Sequence, residues 1–198
     1  MLLGDSIFDN AACVAAGVPD VFRQVRQRLP YGSEATHLVV SAGGNDALHS
    51  SDFLTAPARS TAEALLGLAD IAEEFERGYL ATLAGVLTRG LPTAICTVYY
   101  PRLPEAALQR MAVTAMTVFN DCIIRAAFAH GLPLLDLRSI CTEGDYAKPI
   151  EPSAQGWRQD RASYSEVGGT RFRRGQDRVV YLSRTTSGEA AKTPVLVR

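Results

Sequence analysis

Residues 38–48 read LVVSAGGNDAL, and residues 1–10 read MLLGDSIFDN. Each is an apolar run that breaks at glycine into a short polar turn. Aliphatic, β-branched runs closed by Gly, Asn or Asp mark strands followed by turns. Leu38-Val39-Val40 is thus expected as one buried strand, and Leu2-Leu3 as the carboxyl end of another. Between them Pro19-Asp20 opens a run with Val21, Phe22, Val25 and Leu29 on one face, a helical spacing with proline in the first turn. Strand, helix, strand is a βαβ unit.

The alternation continues along the chain. Over 61–89, Leu65, Leu68, Ala72, Phe75, Tyr79, Leu83 and Val86 recur every three or four residues, which predicts a long amphipathic helix stopped by Gly90. Residues 93–99 (TAICTVY) form a β-rich run closed by Pro101. A second long helix is expected over 104–130, with Leu108, Met111, Ala115, Val118, Cys122 and Ile123 facing inward and Gly131 ending it. Residues 132–137 (LPLLDL) give a last strand. Alternating elements of this kind specify an α/β fold with a parallel sheet.

The 198 residues, 47% hydrophobic, suffice for one sizeable core. A formal net charge of -1 argues against nucleic acid or an acidic membrane surface as partner. No apolar run reaches the ~20 residues that span a bilayer, so no membrane span is expected. No basic segment leads into an apolar one at the start of the chain, which favours a cytoplasmic location. Cys13, Cys96, Cys122 and Cys141 show no paired or metal-ligand spacing and read as reduced core thiols; neither metal nor cofactor is expected. The charge balance changes sign along the chain, with 11 Lys+Arg against 17 Asp+Glu over 1–156 and 9 against 4 over 157–198. The basic tail is a different kind of sequence.

In open parallel sheets, ligands bind outside the carboxyl ends of the strands. Gly4-Asp5-Ser6 and Gly43-Gly44-Asn45-Asp46 fall there. A serine just after a strand exposes its hydroxyl and can lend its N–H to a developing oxyanion, and an Asn on the neighbouring strand end supplies a second donor.

GDSIFDN at 4–10 and SAGGNDAL at 41–48 resemble the first and third conserved blocks of the SGNH (GDSL-type) hydrolases. TVYYP at 97–101 and DYAKPIEPSAQG at 145–156 resemble later segments of a bacterial branch of that family, with EPS at 151–153 where the usual pattern has His-Pro-Ser. The resemblance covers 1–156. It implies a flavodoxin-like three-layer sandwich and hydrolysis of carboxylic esters, esterase- or lipase-like, through an acyl-enzyme on Ser6. Asn45 would donate its side-chain amide to the oxyanion, and Asp5 and Gly44 would line the same site.

Three departures accompany it. The family's second block, a strand ending in an oxyanion-binding glycine, has no counterpart. The 39 positions from Ser6 to Asn45 hold one βαβ unit, which predicts a sheet lacking the family's second strand, an edge strand. Gly32 is the only glycine there that could stand in as donor. The last block lacks its histidine, leaving Glu151 or Asp145 as base, with His49 a third choice. His37 and His130 have structural positions, the latter at a helix end. An ordinary carboxylate is a weak base for a serine hydroxyl unless burial raises its pKa.

After Gly156 the chain reads WRQDRASYS where the resemblance implies a helix starting Gly-Gly-x-Lys-Ile-Ala. Codons exist for WRQDRASYS that spell such a helix in a shifted frame, so 157–198 is expected to be a frame-shifted, disordered tail beyond a hydrolase-like domain of 1–156. A catalytically impaired remnant or a non-catalytic ligand-binding module of the same fold are the alternatives to an active hydrolase of small esters.

Overall fold

Four short strands pair in parallel in their order along the chain. They are β1 (Leu2–Gly4), β2 (Leu38–Ser41), β3 (Thr93–Cys96) and β4 (Leu134–Leu135). The computed structural model describes residues 2–4, 18, 21, 35–141, 144 and 146–152. Leu2, Leu3 and Gly4 face Val39, Val40 and Ser41, and Leu38 to Ser41 face Thr93 to Cys96. β1 thus pairs directly with the strand of the LVVS run; that neighbour is the same with or without the family's second strand, whose expected place falls among residues outside the described ones. Among the described residues no strand lies beyond β1. The parallel α/β fold expected from the alternation is the fold observed.

Two long helices make the crossovers. α1 (Gly44–His49) and a 3₁₀ turn (Ser51–Thr55) lead from β2 into α2 (Thr61–Leu87), and α3 (Ala106–His130) joins β3 to β4. Ser60 caps α2 by accepting the Glu63 N–H at 3.1 Å, which satisfies one of the helix's orphan donors. Gly131, at φ 61°, closes α3 in the left-handed conformation that glycine adopts without strain. Right-handed crossovers that step in one direction put their helices on one face of the sheet. There α2 and α3 pack together, with Leu38, Val40, Ile95 and Leu134 beneath Phe75, Tyr79, Leu83, Phe119 and Ile123. Val18 and Val21, both helical, belong to the same core. Val39, Ala94, Cys96 and Leu135, which alternate with the first set along the strands, are also buried.

The inward stripes differ from the spacing-based expectation in two places. No residue of α2 before Phe75 is buried, and Leu65 is 62% exposed, because the sheet is only as long as its four-residue strands while the helix runs for 27 residues. On α3 Cys122 and Ile123 are buried as expected, but the rest of the buried stripe is Ala112, Met116, Phe119, Asn120, Ala126 and Ala127, while Leu108, Ala115 and Val118 are half-buried and Met111 is exposed. α3 is long and apolar enough to cross a membrane by composition alone, yet its buried stripe is part of the core. Cys96, Cys122 and Cys141 are buried and not in disulfides, as expected of core thiols, and Cys13 lies outside the described residues.

Past β4, α4 (Leu137–Ile140) leads to a small antiparallel hairpin, β5 (Tyr146–Lys148) with β6 (Glu151–Pro152). Residues 153–198, with the expected tail, and the expected helix beyond Val21 lie outside the described residues.

Candidate active site

The chain leaves β2 at Ser41 and turns at Gly43, whose φ of 117° is closed to ordinary L-residues. Space demands glycine there as well. A Cβ on Gly43 would lie 3.0 Å from the Phe75 ring and 3.2 Å from Val98 Cγ2. The Gly43 carbonyl accepts the Ala47 N–H at 3.0 Å, so α1 starts at Gly44 and sets Asn45 one residue in, half-buried at the carboxyl end of β2. Asp46 reaches away from the turn and accepts the Val18 N–H at 2.9 Å, tying α1 to the segment that follows β1.

Gly4 pairs with Ser41, so β1 and β2 end level with one another. Asp5 and Ser6 follow Gly4 directly and lie outside the described residues, as do Gly32 and Asp145. Glu151 is described only as strand backbone, opposite Lys148. His49 sits exposed at the end of α1, four residues past Asn45. His130 forms a 3.0 Å hydrogen bond with the Ala126 carbonyl in the last turn of α3, the structural place expected of it. Of the six proposed site residues the structure brings Gly44 and Asn45 together in one turn. Among the described residues no group of three His, Cys, Asp or Glu is arranged as metal ligands would be.

The stretch after β3 holds the hairpin. Tyr146 Oη donates to the Tyr100 carbonyl at 2.7 Å, Tyr99 Oη to the Ile150 carbonyl at 2.9 Å, and Arg102 N–H to the Pro149 carbonyl at 2.6 Å. The Tyr99 and Tyr146 rings meet edge-on at 5.8 Å, and the Arg102 guanidinium lies 5.6 Å from the Tyr146 centroid. The Glu151 backbone is thereby fixed to the loop that leaves the sheet next to Asn45's own strand.

A buried polar bridge underlies this loop. Thr97 Oγ1 donates to Asp136 at 2.9 Å and accepts the Leu137 N–H at 2.9 Å, while Arg138 clamps the same carboxylate with Nε at 2.7 Å and an Nη at 2.6 Å. Burial works to raise the Asp136 pKa, but the hydrogen bonds from Arg138 and Thr97 outweigh it and hold the carboxyl below its ordinary value. Asp136 is therefore a fixed anion, unsuited to take a proton from a serine near neutral pH.

No family model matches the sequence, and no curated protein matches it. Solved structures do match. A lipolytic protein of the G-D-S-L family from Veillonella parvula superposes with a TM-score of 0.60 over 86% of this chain and 97% of its own, at 13% identity. The fold is that of the GDSL-type lipolytic hydrolases. LAE5, an alpha/beta hydrolase from the metagenome of Lake Arreo, gives 0.59 over 85% and 93% at 17% identity. Phospholipase A1 from Streptomyces albidoflavus gives 0.55 over 84% and 97%, also at 17%. At such identities the GDSL-type likeness is one of fold.

Sequence reasoning missed that Val98 lies against Gly43, that Asn120 binds the Val98 main chain, and that a tyrosine pair holds the hairpin. TVYYP stood out as a motif, so its tyrosines were visible without their task. Asn120 carried a signal too, as a polar residue within an inward helical stripe (VFNDC).

Proposed function

We propose that this chain hydrolyses carboxylic esters of small molecules, with Ser6 as nucleophile. The observation that carries the reading is the turn after β2. Its buried, glycine-only geometry fixes Asn45 at the carboxyl edge of the sheet, level with the end of the strand that Ser6 follows. A donor held rigidly there costs no reorganisation when negative charge develops on a carbonyl oxygen. In this scheme Ser6 Oγ attacks the ester carbonyl, its proton passes to the base, and the Asn45 amide with the Ser6 N–H stabilises the oxyanion. Collapse of the tetrahedral species breaks the ester bond, releases the alcohol with that proton, and leaves an acyl-enzyme that water then hydrolyses.

Glu151 or Asp145, on or beside the hairpin held by Tyr99 and Tyr146, is the base of this scheme. The EPS segment supports a reading as a member of the bacterial branch of the SGNH hydrolases, with 1–156 as the domain proposed to carry the activity. A fluorophosphonate probe, which needs only an activated serine, tests the reading without the substrate. Labelling of the full chain at Ser6, absent in Ser6→Ala and slowed about 100-fold in Asn45→Ala, is the expected result. A folded protein that takes up no probe would reduce the site to a binding module or an inactive remnant.

A further inference from the structure

We propose that Asn120, in the middle of α3, is a positioning residue for the oxyanion turn; the inference rests on the reading of Asn45 as oxyanion donor. Asn120 is completely buried. Its Oδ1 accepts the Val98 N–H at 2.7 Å and its Nδ2 donates to the Val98 carbonyl at 3.0 Å. One amide thus satisfies both main-chain groups of the residue just past the end of β3, as a neighbouring strand would do. Val98 is in turn the residue whose Cγ2 lies against Gly43.

A second path runs beside the first. Phe119, next to Asn120, meets the Phe75 ring edge-on with centroids 4.9 Å apart, and the Phe75 ring is the other surface against Gly43. Two consecutive residues of α3 therefore fix both walls of the slot that holds the Gly43 backbone at its unusual φ. Asn45 follows Gly43 by two residues, in the first turn of the short helix that Gly43 precedes, so a shift of Val98 is passed on to the Asn45 amide. Close-packed interiors transmit such displacements instead of absorbing them.

The side chain of Asn is what this task needs. It combines one acceptor and one donor in a fixed plane, and no apolar residue of similar size offers either. An Asp in its place keeps both functions only while protonated.

The test is amide hydrogen exchange on the full chain. It reads the Ala47 N–H, which the Gly43 carbonyl holds, relative to the Ile95 N–H, which the Pro133 carbonyl holds in the core. In Asn120→Ala the ratio of the two protection factors falls at least tenfold, whereas in Leu83→Ala, a core truncation lower on α2, it does not change. Asn120→Asp regains the ratio at pH 5 and loses it at pH 8, and it serves alone if the alanine variant does not fold. An unchanged ratio in Asn120→Ala, or a pH-independent one in Asn120→Asp, overturns the proposal. If Ser6 takes up the fluorophosphonate, its labelling rate in Asn120→Asp follows the same pH dependence, and adding Asn120→Asp to Asn45→Ala slows labelling no further. If wild-type Ser6 takes up no probe, the esterase reading fails while the exchange ratio still decides the role of Asn120.

Discussion

The turn at 43–45 and the hairpin at 146–152 are held in opposite ways. The turn is built into the core, with its Gly43 backbone against Phe75 and Val98 and its geometry closed to any side chain. The hairpin is attached from outside, by two tyrosine hydroxyls, one backbone N–H and a cation over a ring. In the proposed reaction the Asn45 donor needs the first kind of support, since an oxyanion hole works by not moving. A segment bearing an acid can use the second kind, because polar tethers at a surface let it adjust.

The largest effect should come from Gly43→Ala. It combines a positive φ, costing about 1–2 kcal/mol, with contacts at 3.0 and 3.2 Å, for a total loss of roughly 2–4 kcal/mol. Urea unfolding measures it; a loss below ~0.5 kcal/mol would mean that the turn is not packed as described and would erase the contrast with the hairpin.

Thr97→Val sits between the two regions and sharpens the comparison. It leaves the Leu137 N–H without its acceptor and removes one donor from Asp136, so about 1–3 kcal/mol should be lost. The same bridge sets a pH dependence. Because the folded Asp136 carboxyl is held below its unfolded value, its contribution is fully present above pH ~4 and disappears as pH falls through the lower folded value. Asp136→Asn should therefore lose stability at pH 7 and flatten the acid limb of the stability profile; an acid limb as steep as the wild type's would assign the dependence to other carboxylates.

Tyr146→Phe should be the mildest. The lost bond to the Tyr100 carbonyl is partly solvated, so about 0.5–1.5 kcal/mol is expected, a fall in Tm of roughly 1–6 °C. If it cost as much as Gly43→Ala, the hairpin would have to be counted as part of the core.

Much of this was legible beforehand, and the particular residues show why. LVVS and TAIC are continuous apolar runs because a parallel strand is buried on both faces, and they declared themselves as strands. Leu65 misled because periodicity reports which residues share a helix face, while the length of the sheet decides how much of that face is covered. Met111 misled by one position for a related reason, since α3 presents its small residues Ala112, Ala126 and Ala127 inward. GGND announced the turn through its glycines, but that Gly43 and not Gly44 takes the positive φ depends on Val98 and Phe75, which come from distant parts of the chain. Asn120 acts entirely through main-chain groups 22 residues away, a link that no local pattern carries.

The strand order has a consequence for how the sheet can assemble. Among the described strands, β2, β3 and β4 each pair with the one made just before, so each finds its first partner already synthesised. As the chain emerges from its N-terminus, β2 can dock on β1, β3 on β2 and β4 on β3, each closing a single crossover loop. The last docking brings in Asp136 and Leu137, which close the polar bridge with Thr97. Among the described strands, growth of the sheet thus closes on a hydrogen-bonded lock, and the hairpin follows it.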